Sequence, residues 1–451
     1  MHVDRHRRRL LAALGSLSAP MWAHAAGSVV TMAPLPLQER RLANGLQVVT
    51  IPEANAATVS VQVWYRVGGK DDPPGRSGFA HLFEHMMFKG TRHMPNEMFD
   101  RLTEDVGGSN NAFTAEDTTS YHSEVPSNHA ERLLWAEAER MSTLNVDQAT
   151  FDSERKVVQE ELRQRVYASP YGRLFNAIPA YAFEVHPYKT PSIGSIEDLN
   201  AATLDDVRRF HSTYYRPDNA LLIVAGGFDS AVMDRWVDRY FGPLATPQTP
   251  IPRVTAKEPP RAADTSAQLH GPNVPLPAIA LLWKAPPAAN TDSAALQVAS
   301  ALLSSGDSSR LNETLVYRDQ IAQQAALSVE LYADAGLIAA YAICASGKPL
   351  PQVQAALLRE IERLSRGAIA AAELDKVRTG LLTSALVGRQ TPYGKASAAG
   401  WGAILRNDVH FADRELAELQ AVSAADVQRV LKRYVLDAHR VDLTYTQGAG
   451  A

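Results

Sequence analysis

The chain repeats itself. TLDDVRRFHSTYYRPDNALLIVAGG (203–227) and SAADVQRVLKRYVLDAHRVDLTYTQ (423–447) superimpose without a gap, and Asp206, Val207, Arg209 and Tyr214 match Asp426, Val427, Arg429 and Tyr434. Each stretch reads as a helix, a tyrosine, a turn and a strand. Earlier, VSVQVWYRVG and the helical segment after it parallel AIALLWKAPP followed by DSAALQVASALLSSG. At 451 residues the chain is too long for one compact core, given the usual ~100–200 residues per domain. The proline-rich segment GPLATPQTPIPRVTAKEPPRAA (242–263) reads as a linker. The expectation is an α/β (α+β) fold of two similar domains, 26–241 and 264–451, each a mixed β-sheet packed with helices.

Local signals fill in the first half. RRLANGLQVVTIPE predicts strand, turn, strand about Asn44-Gly45. TVSVQVWYRVGG alternates apolar and polar residues, as a half-buried strand does. The helix over GFAHLFEHMMFKGT (78–91) takes Ser77 as its N-cap and Gly90 as its stop. Another helix covers NEMFDRLTEDVG, NAFTAEDTTSYHSEVP reads as a strand, and helices follow through FDSERKVVQEELRQRV.

Residues 1–25, MHVDRHRRRLLAALGSLSAPMWAHA, carry Arg5, Arg7, Arg8 and Arg9, a short apolar stretch, and a small-x-small site at Ala23-His24-Ala25. That pattern predicts a signal peptide and export, most simply to a bacterial periplasm. The net charge of -4, with 21% charged residues, gives no basic excess for nucleic acid. No run of ~18 apolar residues marks a spanning helix. Cys344 is the one cysteine, which excludes an internal disulfide framework and a cysteine-based zinc site.

The chemistry concentrates in 78–91. His81 and His85 stand four residues apart, so they project from one side of a helix a single turn apart. Two imidazoles at that separation can close on one small cation, and Glu84 flanks the same site. Two imidazoles leave a zinc ion short of tetrahedral, and a hydrolytic site takes one more protein ligand and a water. The third ligand is expected to be a carboxylate on another element. SERKVVQEELRQR offers Glu154, Glu160 and Glu161. Glu154 and Glu161 lie two helical turns apart on one face, while Glu160 is rotated by ~100° toward solvent. That face supplies one glutamate to bind metal and one to support it. H-x-x-E-H is the inverted zincin pattern.

Together with GGSNNAFTAEDTTSY, ERKVVQEEL, HPYKTPSIGSIEDL and YYRPDNALLIVAGGFD, these motifs resemble the pitrilysin (inverzincin, insulinase-like) metallopeptidases. The likeness is to the short type related to the mitochondrial processing peptidase, and it covers nearly everything after residue 25. The resemblance implies that each chain forms half of a clamshell and holds one Zn2+. His81, His85 and Glu161 would be the ligands, with Glu154 supporting them. Glu84 would take a proton from the attacking water and give it to the leaving amine. Asn111, Ala112 and Thr114 match the family's N-A-x-T strand, which pairs with the backbone of a peptide substrate.

Family members also grip substrate with an arginine and a tyrosine from the second half. GDSSRLNETLVYRDQIAQQAALSV keeps Arg310, but Gln323 and Gln324 stand where the tyrosine is expected, and Tyr317 lies too early. The resemblance therefore implies a zinc endopeptidase for short or unfolded peptides in a closed chamber. It acts as a dimer, expected with a related chain that supplies the Arg/Tyr pair. The competing expectation is a non-catalytic subunit of a heteromeric peptidase-like complex. A zinc hydrolase for a non-peptide substrate is not favoured by the strand-edge NNAFT.

Overall fold

Two β-sheets carry the fold, and they share one plan. This computed structural model describes residues 32–448, so the expected signal peptide 1–25 lies outside the described residues. The first sheet is built from β1 (Gln38–Arg41), β2 (Gln47–Pro52), β3 (Thr58–Tyr65), β4 (Ser109–Thr114), β5 (Thr119–Pro126) and β6 (Ala220–Gly226), in the order β1-β2-β6-β3-β5-β4. The second contains β7 (Thr265–Gly271), β8 (Ala278–Ala285), β9 (Ala322–Leu331), β10 (Gly336–Cys344) and β11 (Val441–Gln447), in the order β7-β11-β8-β10-β9. Without β1 the two orders coincide strand for strand. Each sheet is antiparallel except for one parallel pair, β2 with β6 and β7 with β11.

The repeated residues do the same work in both halves. Thr203 and Ser423 begin helices Leu204–Tyr214 and Ala424–Leu431. Each hydroxyl accepts from the N–H of Asp206 or Asp426, and each aspartate accepts the cap residue's N–H in return. This reciprocal arrangement satisfies two donors that a helix start otherwise leaves unpaired. The shared aspartates are therefore helix-start signals.

The expected division at 242–263 follows the sheets but not the helices. Helix Gly172–Ala182, from the first half, lays Leu174, Ile178 and Ala182 against Ala278, Leu282 and Leu443 of the second sheet. Helix Pro392–Arg406, from the second half, lays Ala396, Ala399 and Ala403 against Val49, Trp64 and Ile223 of the first. Gly400 permits that close approach, since a Cβ there would stand 2.3 Å from the Trp64 ring. The linker is itself tied in, for Glu258 accepts the N–H groups of Glu184, Val185 and His186.

Helix exchange also corrects the reading of β3, which is buried along nearly its whole length. Val59, Val61, Val63 and Tyr65 join the first-half core. The polar alternates face the exchanged helix, where Gln62 donates to the Tyr393 carbonyl and accepts from Trp64 Nε1. The expected strand over 111–126 is a hairpin, β4–β5, because the chain turns at 115–118. No helix among the described residues is long and apolar enough to cross a membrane.

Candidate metal centre

Helix Phe79–Met86 is held by its greasy face. Phe79, Ala80, Leu82, Phe83 and Met86 are buried, which leaves His81 and His85 on the opposite side. Its N-terminus corrects the Ser77 expectation. Asp72 accepts the N–H groups of Gly78, Phe79 and Ala80, while the Ser77 hydroxyl donates to Asp198. Gly78 is left-handed there, at φ 79°, a conformation glycine adopts without penalty. The helix also ends at Met86, ahead of the expected stop at Gly90.

Helix Gln148–Leu162 packs alongside through Phe151 and Val158 and brings the glutamates across. Glu161 Oε2 lies 3.7 Å from His81 Nε2 and 3.6 Å from His85 Nε2. These separations exceed a hydrogen bond. They suit one shared ion, because donors about 2.0–2.2 Å from a tetrahedral zinc stand about 3.3–3.6 Å from each other. Two imidazole nitrogens and one carboxylate oxygen are a zinc donor set, so the residues fit the metal. Among the described residues this is the one cluster of three metal-binding side chains so placed.

The surroundings prepare those donors. Burial pushes the His81 imidazole down to about 4, against the pull of Glu161, so at neutral pH it is in the unprotonated form a metal needs. His85 Nδ1 faces Glu154 Oε2 at 3.5 Å, and Lys89 Nζ holds the other Glu154 oxygen at 3.0 Å. Arg165 Nη1 takes Glu161 Oε1 at 2.6 Å, which leaves Oε2 for the imidazoles. Glu160 points outward and pairs with Arg163. Lys89 and Arg165 are not among the site residues expected from the motifs. Arg165 follows its partner Glu161 by four residues, whereas Lys89 lies beyond the helix end at Met86 and reaches Glu154 on the neighbouring helix.

Glu84 is buried beside the cluster. Burial raises its carboxyl, opposed by the Thr114 hydroxyl, which donates to Oε2 at 2.6 Å. A cavity of about 510 Å3 joins His81, Glu84, His85 and Glu161 to Asn111, Ala112, Phe113 and Thr114 of β4. β4 is one of the two outer strands of its sheet, and only its inner edge is paired, with β5. A peptide laid along it would gain main-chain hydrogen bonds next to the cluster.

Arg310 is not brought here. It makes a two-pronged pair with Glu373, at 2.7 and 2.8 Å, and lines a separate cavity with Glu313, Arg359 and Arg363. Within one chain Arg310 therefore lines a cavity other than that of the metal cluster, and its guanidinium is paired with Glu373. Gln324 donates to the Tyr341 hydroxyl, and Tyr317 is exposed.

Residues 47–195 match the profile of the insulinase family, peptidase family M16, and 201–381 match that of the peptidase M16 inactive domain. A zinc protease of Helicobacter pylori named PqqE is 32% identical over 404 residues, covering 88% of this chain and 89% of that one. A probable mitochondrial-processing peptidase subunit beta of Arabidopsis thaliana is 25% identical over 405 residues, covering 88% and 76%. The crystal structure of a protease from Helicobacter pylori aligns with a TM-score of 0.87 at 30% identity, over 92% of this chain and 100% of that one.

Proposed function

The chain belongs to peptidase family M16, the insulinase family, and on that premise we propose that it is a zinc endopeptidase acting on extended peptides. The observation that carries this reading is the convergence of His81 Nε2, His85 Nε2 and Glu161 Oε2 beside a buried Glu84. A zinc ion held there would lower the pKa of a water and polarise the scissile carbonyl. β4 holds the peptide backbone in register through its free edge. The Glu84 carboxylate, set by Thr114, accepts the proton of the attacking water and passes it to the leaving amine. Metal analysis together with hydrolysis of an unstructured peptide tests the reading. A chain that is zinc-free and inert with every partner would instead be the non-catalytic subunit.

Glu154 fixes which nitrogen His85 presents, so its removal should loosen the metal without abolishing the site. Glu154→Gln is expected to lower zinc affinity about 10–100-fold, read by competition with a chromogenic chelator. Unchanged affinity would remove Glu154 from the metal's support.

The active species on this reading is a dimer. Arg310 is engaged by Glu373 and the expected tyrosine is missing, so a related chain carrying both would complete the site. Sedimentation and peptide hydrolysis, for this chain alone and with a co-encoded relative, should show activity rising on assembly with the relative. Full activity as a monomer would defeat the dimer, and full activity as a homodimer would defeat its heteromeric form.

A further inference from the structure

The two halves touch at equivalent points, and that contact bears on β4. The β4–β5 turn (115–118) and the β9–β10 turn (332–335) occupy the same place in the repeated plan. In each the first residue's N–H donates to the fourth residue's carbonyl, Ala115 to Thr118 at 2.9 Å and Tyr332 to Ala335 at 3.0 Å. The third residue of each turn is an aspartate, Asp117 and Asp334. Both carboxylates meet on one cation, with Lys70 Nζ at 2.7 Å from each. Tyr188 donates to Asp117 at 2.6 Å, and the Ala333 N–H donates to its other oxygen at 2.9 Å. His186 Nε2 stands 3.5 Å from Asp334. Asp117, Tyr188 and His186 are buried, while Asp334 is 40% exposed on its side chain.

Lys70 is not an ordinary surface lysine. It lies in the turn Gly69–Asp71, whose N–H groups at Gly69 and Lys70 donate to the Ala115 and Glu116 carbonyls. Two residues on, Asp72 caps the helix that carries His81, Glu84 and His85. The node therefore joins the tip of the outer strand, the approach to the motif helix, and the second half. An outer hairpin open on one side is the kind of element that frays first. A strand that must present its edge to a peptide has most to lose from that fraying.

We propose that Asp334, in the half without the metal cluster, is a positioning residue that acts through Lys70 to hold β4 in register for the peptide. This rests on the endopeptidase reading and names what the second half does for the site. The test uses the full chain in the form that is active on peptide, with its partner where one is needed. Binding of a fluorescently labelled, unstructured casein peptide is measured in a Glu84→Gln background, so that turnover plays no part. Asp334→Ala should raise the peptide Kd about tenfold, as a misplaced binding strand would, and leave zinc at one per chain. With Glu84 intact, the same change should raise KM and leave kcat at saturating peptide nearly unchanged. Asp334→Glu should restore part of the loss. Lys70→Met should add little to Asp334→Ala if the two act as a unit. Independently of any peptide, hydrogen exchange in Asp334→Asn should speed up in β4 and the 115–118 turn, with β2 and β6 unchanged. An unaltered peptide Kd with unaltered exchange would overturn the proposal. So would zinc, kcat and fold falling together, which would mean a merely structural contact. If the chain with Glu84 intact cleaves no peptide with any partner, the endopeptidase reading fails, and the exchange measurement continues to judge the brace.

Discussion

Glu84→Gln should keep the fold and the zinc and lose peptide cleavage. The amide has the size of the carboxylate, and its oxygen can still accept the Thr114 hydroxyl that Glu84 Oε2 accepts at 2.6 Å. Glu84 is not among the three donors that converge, so the metal has no reason to leave. What the variant lacks is a group able to take the proton of the attacking water, and positioned general bases contribute typically ~10²–10⁴-fold. The expected result is a fall in kcat of at least that order at unchanged zinc content, read by single-turnover peptide hydrolysis beside metal analysis. Near-normal turnover would show that Glu84 is not the base and that the proton leaves by another route.

The parts of this site that could be read early are those written in helical periodicity. His81 to His85 is one turn and Glu154 to Glu161 is two, so spacing alone places each pair on one face. Lys89 and Arg165 also stand four residues after His85 and Glu161, but that spacing does not mark them, because a lysine or arginine near a helix ordinarily means a solvated surface. Arg310 shows where such reading stops. Its partner, Glu373, lies 63 residues away on another helix, and no local pattern announces the pair. The Ser77 cap failed for a related reason. Asp72 reaches the helix N-terminus across an intervening turn, so the cap is tertiary although its sequence separation is short.

The fold divides in the same way. The duplication is legible because both copies keep their helix starts and their apolar runs, whereas the β4–β5 hairpin reads as one strand. The exchange of helices is not legible, since an apolar face specifies that it will be buried and not which sheet will bury it. Ser60 and Gln62 make the point. Their alternation with valines reads as a wet face, yet both are buried, and Gln62 donates to the carbonyl of Tyr393 from the other half.

Removing the two histidines should empty the centre and leave the protein standing. With His81→Ala and His85→Ala together, Glu161 alone remains of the three donors, and one carboxylate cannot hold zinc against water. The helix does not need the imidazoles for its own packing, because Phe79, Leu82, Phe83 and Met86 face the core. Zinc should therefore fall from one per chain to near none, while circular dichroism stays unchanged. Thermal stability gives a second readout that does not pass through activity. A ligand that binds only the folded state at a thousand times its Kd adds about 4 kcal/mol. Added zinc should therefore raise the Tm of the metal-stripped wild type and leave that of the double variant where it is. Glu161→Gln should behave like the double variant in zinc content, since the amide oxygen is a poorer donor and carries no charge to offset the ion's. Stoichiometric zinc retained by the double histidine variant, with a zinc-dependent Tm, would place the metal elsewhere and end the assignment.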